Sequence, residues 1–445
     1  MKNNKYVILS AFAASLGGLL FGFDTAVISG AEKTIQQVFD LSGFWHGFTV
    51  AIALIGTLAG AIISGKPADL FGRKKSLMAI AVLYTVSAIG SALAQNWELF
   101  LFYRFIGGLG VGASSVIAPM YIAEIAPAHL RGRLGTSFQL NIVGGILLSY
   151  FSNYWISQTI EHEAWRWMLG VESIPAVVFF ILVFFIPDSP RWLVLKGRDK
   201  EAGTILRKVG SPNPEQELVE IEASIERKAG IKREKLFSTA YRIPVVLAIL
   251  VALFNQLSGI NAIMYYAPRI FEMVGYAQNS ALLQSISVGA TLFVFTVAGM
   301  FLVDKVGRKK LLLIGSAGML FFLAMVAKTI FTTTDGSIWM LIYLSGFITF
   351  FAFSQGTVIW VYISEIFPNK VRAKGQSLGS FAHWAAAAAI SWIFPVLAGN
   401  NGGGWAFSIF SAFMLVQFIV VWKFFPETKG KTLEQIQKEM MNKRF

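Results

Sequence analysis

Long apolar stretches separated by short polar intervals make up most of the chain. Each stretch is about 20 residues long, which is the length that an α-helix needs to cross the hydrocarbon core of a bilayer. Six stretches precede the polar interval at 188–242 and six follow it. The pattern predicts twelve transmembrane helices, at 6–30, 44–65, 76–95, 99–122, 134–157, 168–187, 243–267, 281–303, 311–331, 338–364, 376–398 and 404–424.

The composition agrees with a membrane protein. Of the 445 residues, 55% are hydrophobic and 14% are charged, a balance too apolar for a soluble domain of this length. The lack of cysteine excludes disulfide bonds and thiolate metal sites. The sequence offers neither a metal-ligand cluster nor a nucleophile–base set, and GGLGVG at 107–112 lacks the spacing of a nucleotide-binding loop. We therefore expect no enzyme, no metal and no cofactor.

Positive charge is distributed unevenly between the two sides of the predicted membrane. Of the 38 lysines and arginines, 33 fall in the terminal segments or in polar segments on the same side as the termini. Cytoplasmic loops carry such an excess. The count therefore places both termini and residues 188–242 in the cytoplasm, with the chain in an inner (plasma) membrane. The net charge of +13 is then a topology signal, and we expect no nucleic-acid partner.

Three pairs of short motifs recur at nearly constant offsets of 235, 241 and 239 residues. The pairs are GRKK at 72–75 and 307–310, YIAEIAPAHLRGR at 121–133 with YISEIFPNKVRAKG at 362–375, and PDSPRWL at 187–193 with PETKGKTL at 426–433. They indicate a duplicated six-helix unit whose two copies face the same way. Parallel repeats of this kind predict a substrate site at mid-membrane, between the two halves.

The repeat also sets the predicted domain organisation. We expect an N-terminal six-helix half at 1–187, a cytoplasmic linker at 188–242, a C-terminal six-helix half at 243–424 and a cytoplasmic tail at 425–445. In the linker, PEQELVEIEASIERK begins with proline and spaces its aliphatic residues helically. This pattern predicts an amphipathic helix on the membrane surface or against the cytoplasmic loops.

Three side-chain amides interrupt the seventh apolar stretch. Asn255, Gln256 and Asn261 occur in LFNQLSGINAIMYYAP, where Gly259 and Pro268 predict a broken helix. Non-helical backbone is tolerated at membrane depth only where it is buried in protein or lines a water-filled cavity. Amides both donate and accept hydrogen bonds, as sugar hydroxyls do. The alternative is that they only hydrogen-bond neighbouring helices together.

Three ionisable residues fall inside predicted spans: Asp24, Arg104 and Glu172. A charge at the bilayer centre costs about 2.5–3.5 kcal/mol even on the most permissive scales, so such residues are normally compensated or functional. An acid and one arginine predict a buried ion pair. The pair either fixes helix packing alone or lets Asp24 load and release a proton as the pair is made and broken.

The chain resembles the sugar porter family of the major facilitator superfamily. The resemblance rests on seven motifs in order along nearly the whole chain: ADLFGRKK, PMYIAEIAPAHLRGR, PDSPRWL, NQLSGINAIMYYAP, VDKVGRKK, SEIFPNKVRAKG and PETKG. It implies an all-α fold of twelve transmembrane helices in two parallel-oriented halves, and monosaccharide transport by alternating access. The family includes bacterial xylose–proton and glucose–proton symporters and facilitative glucose transporters.

The resemblance implies a set of sugar-binding residues on matching positions: Phe21, Gln139, Ile146, Asn255, Gln256, Asn261, Tyr265, Trp360, His383 and Trp384. The xylose symporter carries glutamine at the position of Ile146, whereas glucose-transporting relatives carry isoleucine, which favours a hexose over a pentose. Two positions depart from the family pattern. His383 replaces a usual glutamine or asparagine, and Leu292 stands where the family often has asparagine.

The resemblance also implies proton coupling by Asp24, Arg104 and Glu172, since proton symporters of the family carry aspartate at the first position and uniporters commonly a neutral residue. It further implies a cytoplasmic gating network that closes one side of the site. The network comprises Asp69, Arg73, Glu124, Arg131, Asp188, Arg191, Arg308, Glu365 and Arg372.

Together these features predict a sugar–proton symporter that acts as a monomer in the lipid bilayer, with a monosaccharide and protons as its partners and no cofactor beyond the coupling proton. A facilitative uniporter with the same sugar pocket is one alternative. A sugar sensor that does not transport is another, although sensors of this fold usually carry long cytoplasmic extensions. An amide-rich cavity argues against a drug exporter.

Overall fold

The computed structural model describes residues 4–230, 235–333, 336–368, 370–399, 402–431 and 435. Every regular element in these ranges is helical. The helices are α1 (Asn4–Val38), α2 (Gly43–Ile63), α3 (Gly65–Phe71), α4 (Arg73–Leu93), α5 (Trp97–Ile125), α6 (Ala128–Thr159), α7 (Ala164–Gly170), α8 (Ser173–Phe185), α9 (Pro190–Leu195), α10 (Asp199–Lys208), α11 (Pro214–Gly230), a 3₁₀ turn (Thr239–Tyr241), α12 (Arg242–Leu257), α13 (Ile260–Glu272), α14 (Gln278–Val306), α15 (Arg308–Thr332), α16 (Ile338–Phe353), α17 (Gln355–Ile366), α18 (Arg372–Ala398) and α19 (Gly403–Phe424).

Twelve segments of the described chain are long and apolar enough to cross a membrane, as the sequence predicts. Three of these spans consist of two helices each: the sixth of α7 and α8, the seventh of α12 and α13, and the tenth of α16 and α17. The break in the seventh span was expected from Gly259. The other two breaks were not, and that in the tenth span falls at Ser354, whose φ of −107° and ψ of −90° lie outside the helical region.

The helices extend beyond the apolar stretches that predict them. The first span was expected to end at residue 30, but α1 continues to Val38. The predicted spans at 6–30 and 243–267 leave Lys33 and Arg269 outside the helices, and this prediction was wrong, because Lys33 lies in α1 and Arg269 in α13. Hydropathy ends a predicted span at its first charges, whereas these charged side chains find partners within the protein and allow the helix to continue.

The contacts divide the chain into two compact units. The first unit comprises Met1–Val27, Ile55–Ser149 and Glu163–Lys232, and the second comprises Ile28–Leu54, Tyr150–His162 and Arg233–Phe445. The predicted halves at 1–187 and 243–424 describe the duplicated sequence unit and not these two compact units. This division stays a prediction. Of the predicted tail at 425–445, residues 432–434 and 436–445 lie outside the described residues.

In the first unit, glycines allow helices to approach each other closely. A Cβ atom at Gly22 of α1 would lie 1.9 Å from the carbonyl oxygen of Ile142 in α6, and one at Gly112 of α5 would lie 2.0 Å from that of Thr57 in α2. No real side chain fits such a space. Gly112 ends the GGLGVG segment, so this segment serves helix packing, as its position in a predicted span indicates.

The linker packs against itself in the first unit. α9, α10 and α11 contact one another, and Trp192, Leu193 and Ala202 form a small buried cluster with Leu218 of α11 against it. The predicted amphipathic helix is thus present as α11, with Leu218 packed against the other linker helices. Residues 231–234 of the predicted linker lie outside the described residues.

In the second unit, a separate apolar core joins helices of the C-terminal part of the chain. It is built largely from aliphatic and aromatic side chains of α12, α15 and α17, with Tyr362 stacked on Phe425 at a ring distance of 5.2 Å. On either side of the break in the seventh span, α12 packs against α17 and α18, and α13 packs against α14 and α18. This break carries the amides singled out in the sequence.

Candidate functional site

The break in the seventh span has a local cause. α12 ends at Leu257, and Gly259 adopts a φ of +82°, a left-handed conformation that side chains with a Cβ rarely accept. A Cβ atom at this glycine would also lie 2.4 Å from the ring of Phe410. α13 then begins at Ile260. The break turns the ends of two short helices toward the amides, as Gly259 predicts.

The three predicted amides form one hydrogen-bonded chain in the second unit. Asn261 donates from Nδ2 to Oε1 of Gln256 at 2.8 Å, and Gln256 donates from Nε2 to Oδ1 of Asn255 at 2.9 Å. Asn255 and Gln256 are buried, whereas Asn261 is partly exposed. Each amide thereby fixes the orientation of the next, which gives a preorganised set of donors and acceptors.

His383 joins this chain from α18. Both of its ring nitrogens lie 3.3 Å from Nε2 of Gln256. Its ring packs between two tryptophans, with ring centroids 5.0 Å from Trp360 and 4.9 Å from Trp384. His383 and Trp384 are buried, while 39% of Trp360 is exposed. The structure thus brings six predicted sugar-binding residues of the second unit together, and it places a seventh, the buried Tyr265, on α13 beyond Asn261.

The other predicted sugar-binding residues lie in the first unit. Phe21 is on α1, and Gln139 and Ile146 are two turns apart on α6. Phe21 and Gln139 are partly exposed, and Ile146 is buried. The close contact of α1 with α6 at Gly22 and Gly145 fixes these helices as a pair. That both sets of residues serve one sugar site stays a prediction.

Asp24 and Arg104 form a buried ion pair in the first unit. Arg104 donates from Nη1 to Oδ1 of Asp24 at 2.6 Å, and its Nη2 lies 3.5 Å from both Oδ2 and the backbone oxygen of Asp24. Glu172, also buried, interacts electrostatically with both and lies at the turn between α7 and α8. The sequence prediction of a compensated pair is confirmed by this geometry. A second buried acid therefore lies near the pair.

Each copy of the repeated GRKK motif forms an arginine-centred charge cluster in its unit. In the first unit Arg73 contacts Asp69 at 3.2 Å and Glu124 at 2.9 Å, and Ser189 donates to the same glutamate at 2.5 Å. The arginine follows Gly72, whose φ is +92°. This glycine makes the turn into α4 that directs the guanidinium back across the helix end.

The second unit repeats this arrangement residue for residue. Arg308 contacts Asp304 at 3.0 Å and Glu365 at 2.9 Å, and Thr428 donates to that glutamate at 2.6 Å. Gly307, with a φ of +104°, takes the place of the first glycine. The duplication inferred from short strings therefore extends to the hydrogen-bonded side chains.

Two predicted gating arginines make a different contact from the one expected. Seven residues separate Glu124 from Arg131 and Glu365 from Arg372, a repeated spacing that predicts two charge pairs. Instead, both glutamates bind the GRKK arginines, while Arg131 donates to the carbonyl of Ala126 at 3.4 Å and Arg372 to that of Phe367 at 3.3 Å. Spacing along one chain segment cannot show an acceptor brought in by another helix.

The remaining two residues of the predicted network lie at the linker. Arg191 of α9 donates to the hydroxyl of Ser224 in α11 at 3.4 Å. Asp188, just before α9, has a buried Oδ1 without a hydrogen-bond partner, and burial raises the pKa of its carboxyl. Lys74 and Arg198 oppose that rise through their positive charge.

Two buried sets of polar side chains in the second unit were not predicted from the sequence. Gln355 donates to Gln417 at 2.6 Å, directly after the break at Ser354. Glu32 is buried and lies within 2.8 Å of both Arg269 and His46. The position of Glu32 just after the first apolar stretch could have indicated the set with Arg269 and His46, but hydropathy ends the predicted span before this residue.

A chain with twelve membrane-crossing helices, amides at a broken span and a buried acid–arginine pair is a transporter of polar solutes. The sequence profile of the family described as "Sugar (and other) transporter" matches residues 10–440. The chain therefore belongs to this family of sugar transporters, and the interpretation as a transporter rather than an enzyme is confirmed.

Similar proteins cover nearly the whole chain. The arabinose-proton symporter of Bacillus subtilis is 41% identical over 439 residues, 97% of this chain and 95% of the relative. The D-xylose-proton symporter of Escherichia coli is 38% identical over 98% of this chain and 96% of the relative, and a glucose transport protein of Synechocystis is 38% identical over 98% and 97%.

A solved structure confirms the fold. The inward-open xylose transporter XylE from Escherichia coli superposes with a TM-score of 0.87 at 37% sequence identity, covering 98% of this chain and all of that one. The predicted class, an all-α membrane protein with the twelve-helix major facilitator fold, is therefore correct.

Proposed function

We propose that the protein couples the uptake of a monosaccharide to the entry of protons across a bacterial inner membrane, as a monomer working by alternating access. Both termini and the linker then face the cytoplasm. The family supports sugar as the cargo, and the names of the arabinose and xylose relatives support proton symport. The positive-inside distribution of lysine and arginine supports the orientation.

The observation that carries the proton coupling is the 2.6 Å contact between Asp24 and Arg104. The guanidinium lies where it compensates the negative charge of the carboxylate. A conformational change that separates the two would leave a carboxylic acid in an apolar site, where the neutral, protonated form is favoured. Glu172 is a second acid that can hold Arg104 while Asp24 carries the proton. One proton would then bind and leave in each transport cycle.

Sugar recognition rests on the amide chain of the second unit. Asn255, Gln256 and Asn261 presently satisfy one another, and a sugar hydroxyl can replace each of these bonds because it both donates and accepts. The exposed face of Trp360 offers an apolar surface for the C–H side of a pyranose ring. Gln139 and Phe21 supply contacts from the first unit.

We propose a hexose as the preferred substrate over a pentose. Ile146 carries this choice, since the resemblance associates isoleucine at this position with glucose transport and glutamine with xylose transport. A buried isoleucine offers no hydrogen bond and presents only an apolar surface. The relatives are named for arabinose, xylose and glucose alike, so the preference rests on this residue.

The two arginine clusters at the predicted cytoplasmic ends of the spans are proposed as the gate. The clusters of Arg73 and Arg308 link the ends of several helices within each unit by charged hydrogen bonds. Asp188, Arg191, Arg131 and Arg372 flank them. Contacts that form in one state and break in the other would supply the bistable element that alternating access needs.

Uptake into proteoliposomes tests the proposal. Radiolabelled glucose, xylose and arabinose are supplied with and without an imposed proton gradient, to the parent protein and to Asp24→Asn. The parent should concentrate sugar only with the gradient, and the variant should not. A matched control is Asp40→Asn, which alters an exposed aspartate at a φ of +48°, where asparagine is well accommodated.

The outcomes separate the alternatives. Concentrative uptake that persists in Asp24→Asn would contradict its role in proton coupling. Equilibration of sugar without any gradient effect, in parent and variant alike, would identify a facilitative uniporter. Sugar binding without movement of any of the three sugars would identify a sensor.

A further inference from the structure

A charged cluster lies at the predicted extracellular ends of three helices, within the second unit. Arg269 of α13 donates a hydrogen bond from Nε to Oε1 of Glu32 in α1 at 2.9 Å, and its Nη2 lies 2.8 Å from Oε2 of the same carboxylate as an ion-pair contact. His46 of α2 lies against the same carboxylate, with Nε2 2.8 Å from Oε2. The same arginine also donates to the side chain of Gln36 at 2.7 Å.

The cluster is buried although it lies near the end of the spans. Glu32 is 1% exposed and His46 is fully buried. Glu32 is thus a carboxylate removed from solvent, and its charge is balanced by the guanidinium. Burying one member of such a pair without the other is strongly unfavourable. The arginine and the glutamate must therefore stay together as long as this end of the protein is closed.

The contacts around the cluster join the start of α2 to α13 and α18. The rings of Tyr266 and His46 meet edge to face at a centroid distance of 5.8 Å. On the same side, Trp392 of α18 donates to the carbonyl of Phe44, and a Cβ atom at Gly47 would lie 1.9 Å from the carbonyl oxygen of Trp392. The start of α2 is therefore packed directly on α18.

The partners come from distant parts of the sequence. Glu32 and His46 belong to the first two spans, whereas Arg269 lies 237 residues from Glu32, in the seventh span. Alternating access requires the N-terminal and C-terminal spans to separate at one end of the membrane and then at the other. The backbone of α13 is already distorted at Tyr266, with a φ of −122° and a ψ of 21°, so this helix can bend next to the cluster.

We propose that Glu32, Arg269 and His46 form an ion-pair lock that holds the predicted extracellular end closed and must open for outward access. Lys33 and Glu272 add a second ion pair between α1 and α13, but its lysine is 44% exposed. An exposed pair of this kind contributes little, so the buried carboxylate is the main element. The inference needs alternating access and does not depend on the identity of the sugar or on proton coupling.

Thiol labelling from outside the cell tests the lock. The chain has no cysteine, so Ser29→Cys introduces a single thiol one helical turn before Glu32, at a buried position of α1. A membrane-impermeant maleimide should label it slowly in the parent. Glu32→Gln and Arg269→Gln should each raise the labelling rate by about tenfold or more, because each shifts the population toward the open state.

A matched control is Glu163→Gln, which removes the exposed ion pair of Glu163 with Arg166 elsewhere in the chain. It should leave the labelling rate unchanged. The double variant Glu32→Gln/Arg269→Gln should label no faster than either single variant, since both remove one interaction. If Glu32→Gln does not accumulate as folded protein, Arg269→Gln decides alone, because its side chain is partly exposed.

Parent-like labelling in variants that still transport sugar would overturn the proposal. An equal increase in Glu163→Gln would also overturn it, since the effect would not be specific to the buried cluster. The labelling rate is read without any sugar or proton gradient. A failure of the lock is therefore distinguishable from a failure of the proposed transport function.

Discussion

Arg104 donates a hydrogen bond of 2.6 Å to Asp24, 80 residues away in the sequence, and both side chains are buried in the first unit. This contact answers how a carboxylate is tolerated in the first span. A second buried acid, Glu172, lies near this pair and interacts electrostatically with it. With two acids near one guanidinium, one acid can bind a proton while the other still compensates the positive charge of Arg104.

Removing this guanidinium should be costly. Arg104→Gln leaves Asp24 buried without its counter-ion, and we expect a loss of about 3–5 kcal/mol in the free energy of unfolding. Asp24→Asn/Arg104→Gln should recover part of that loss, because two neutral amides can pair. Denaturant unfolding in detergent measures both. If the double variant loses the full sum of the two single variants, the pair does not act as a unit.

Disruption of the amide chain should lower the affinity for sugar. Gln256→Leu removes a donor and an acceptor at once, and the bonds of Asn255 and Asn261 to it are lost as well. We expect sugar binding to weaken by about tenfold or more. Isothermal titration with the transported sugar measures the affinity. Gln278→Leu, at the exposed start of α14, is the matched control, and an equal loss there would contradict the assignment.

The broken seventh span and the repeat could be predicted from the sequence because their causes are local. Gly259 supplies the positive φ that the break needs, and the motifs of Arg73 and Arg308 fold in the same way in both copies. A glycine inside an apolar span can be recognised in the sequence as a possible break in the helix. A short motif that forms its own turn can be recognised because the same residues occur in both copies.

The partners that arrive from distant helices could not be predicted. Glu32 and Arg269 are 237 residues apart, and nothing near either residue indicates the other. The break at Ser354 likewise lacks the glycine or proline that marks a kink at its own position. There the hydroxyl of Ser354 bonds the carbonyl of Phe350 and its oxygen occupies the space beside Gly315, so the cause lies in tertiary packing.

Substrate preference should respond to Ile146. Ile146→Gln places an amide at a buried position of α6, and we expect the ratio of xylose to glucose uptake to rise by about tenfold. The gain reflects a new hydrogen bond to the smaller sugar and the loss of apolar contact with the larger one. Competition between labelled glucose and unlabelled xylose measures the ratio. A parent protein that already prefers xylose, with no change in the variant, would contradict the hexose proposal.

The arginine clusters should control transport without controlling sugar binding. Arg73→Gln and Arg308→Gln each remove the bonds that join two helix ends, so the gate at the predicted cytoplasmic end should no longer close. We expect the rate of concentrative uptake to fall by about tenfold or more while equilibrium sugar affinity stays near that of the parent. Arg198→Gln breaks an exposed pair with Glu201 and serves as the control. A parallel loss of affinity would instead indicate damage to the sugar site.

Asp188 predicts a specific pH dependence of stability. Its pKa is raised above the ordinary value of 3.8 by burial, so the folded protein binds this proton more tightly than the unfolded chain does. The folded state therefore gains stability as the pH falls through the raised pKa, and the gain is complete below the ordinary value. Asp188→Asn should remove this contribution and should be at least as stable as the parent at neutral pH. Thermal unfolding of both proteins between pH 7 and pH 4 gives the difference directly, and a difference that is constant across this range would refute the assignment.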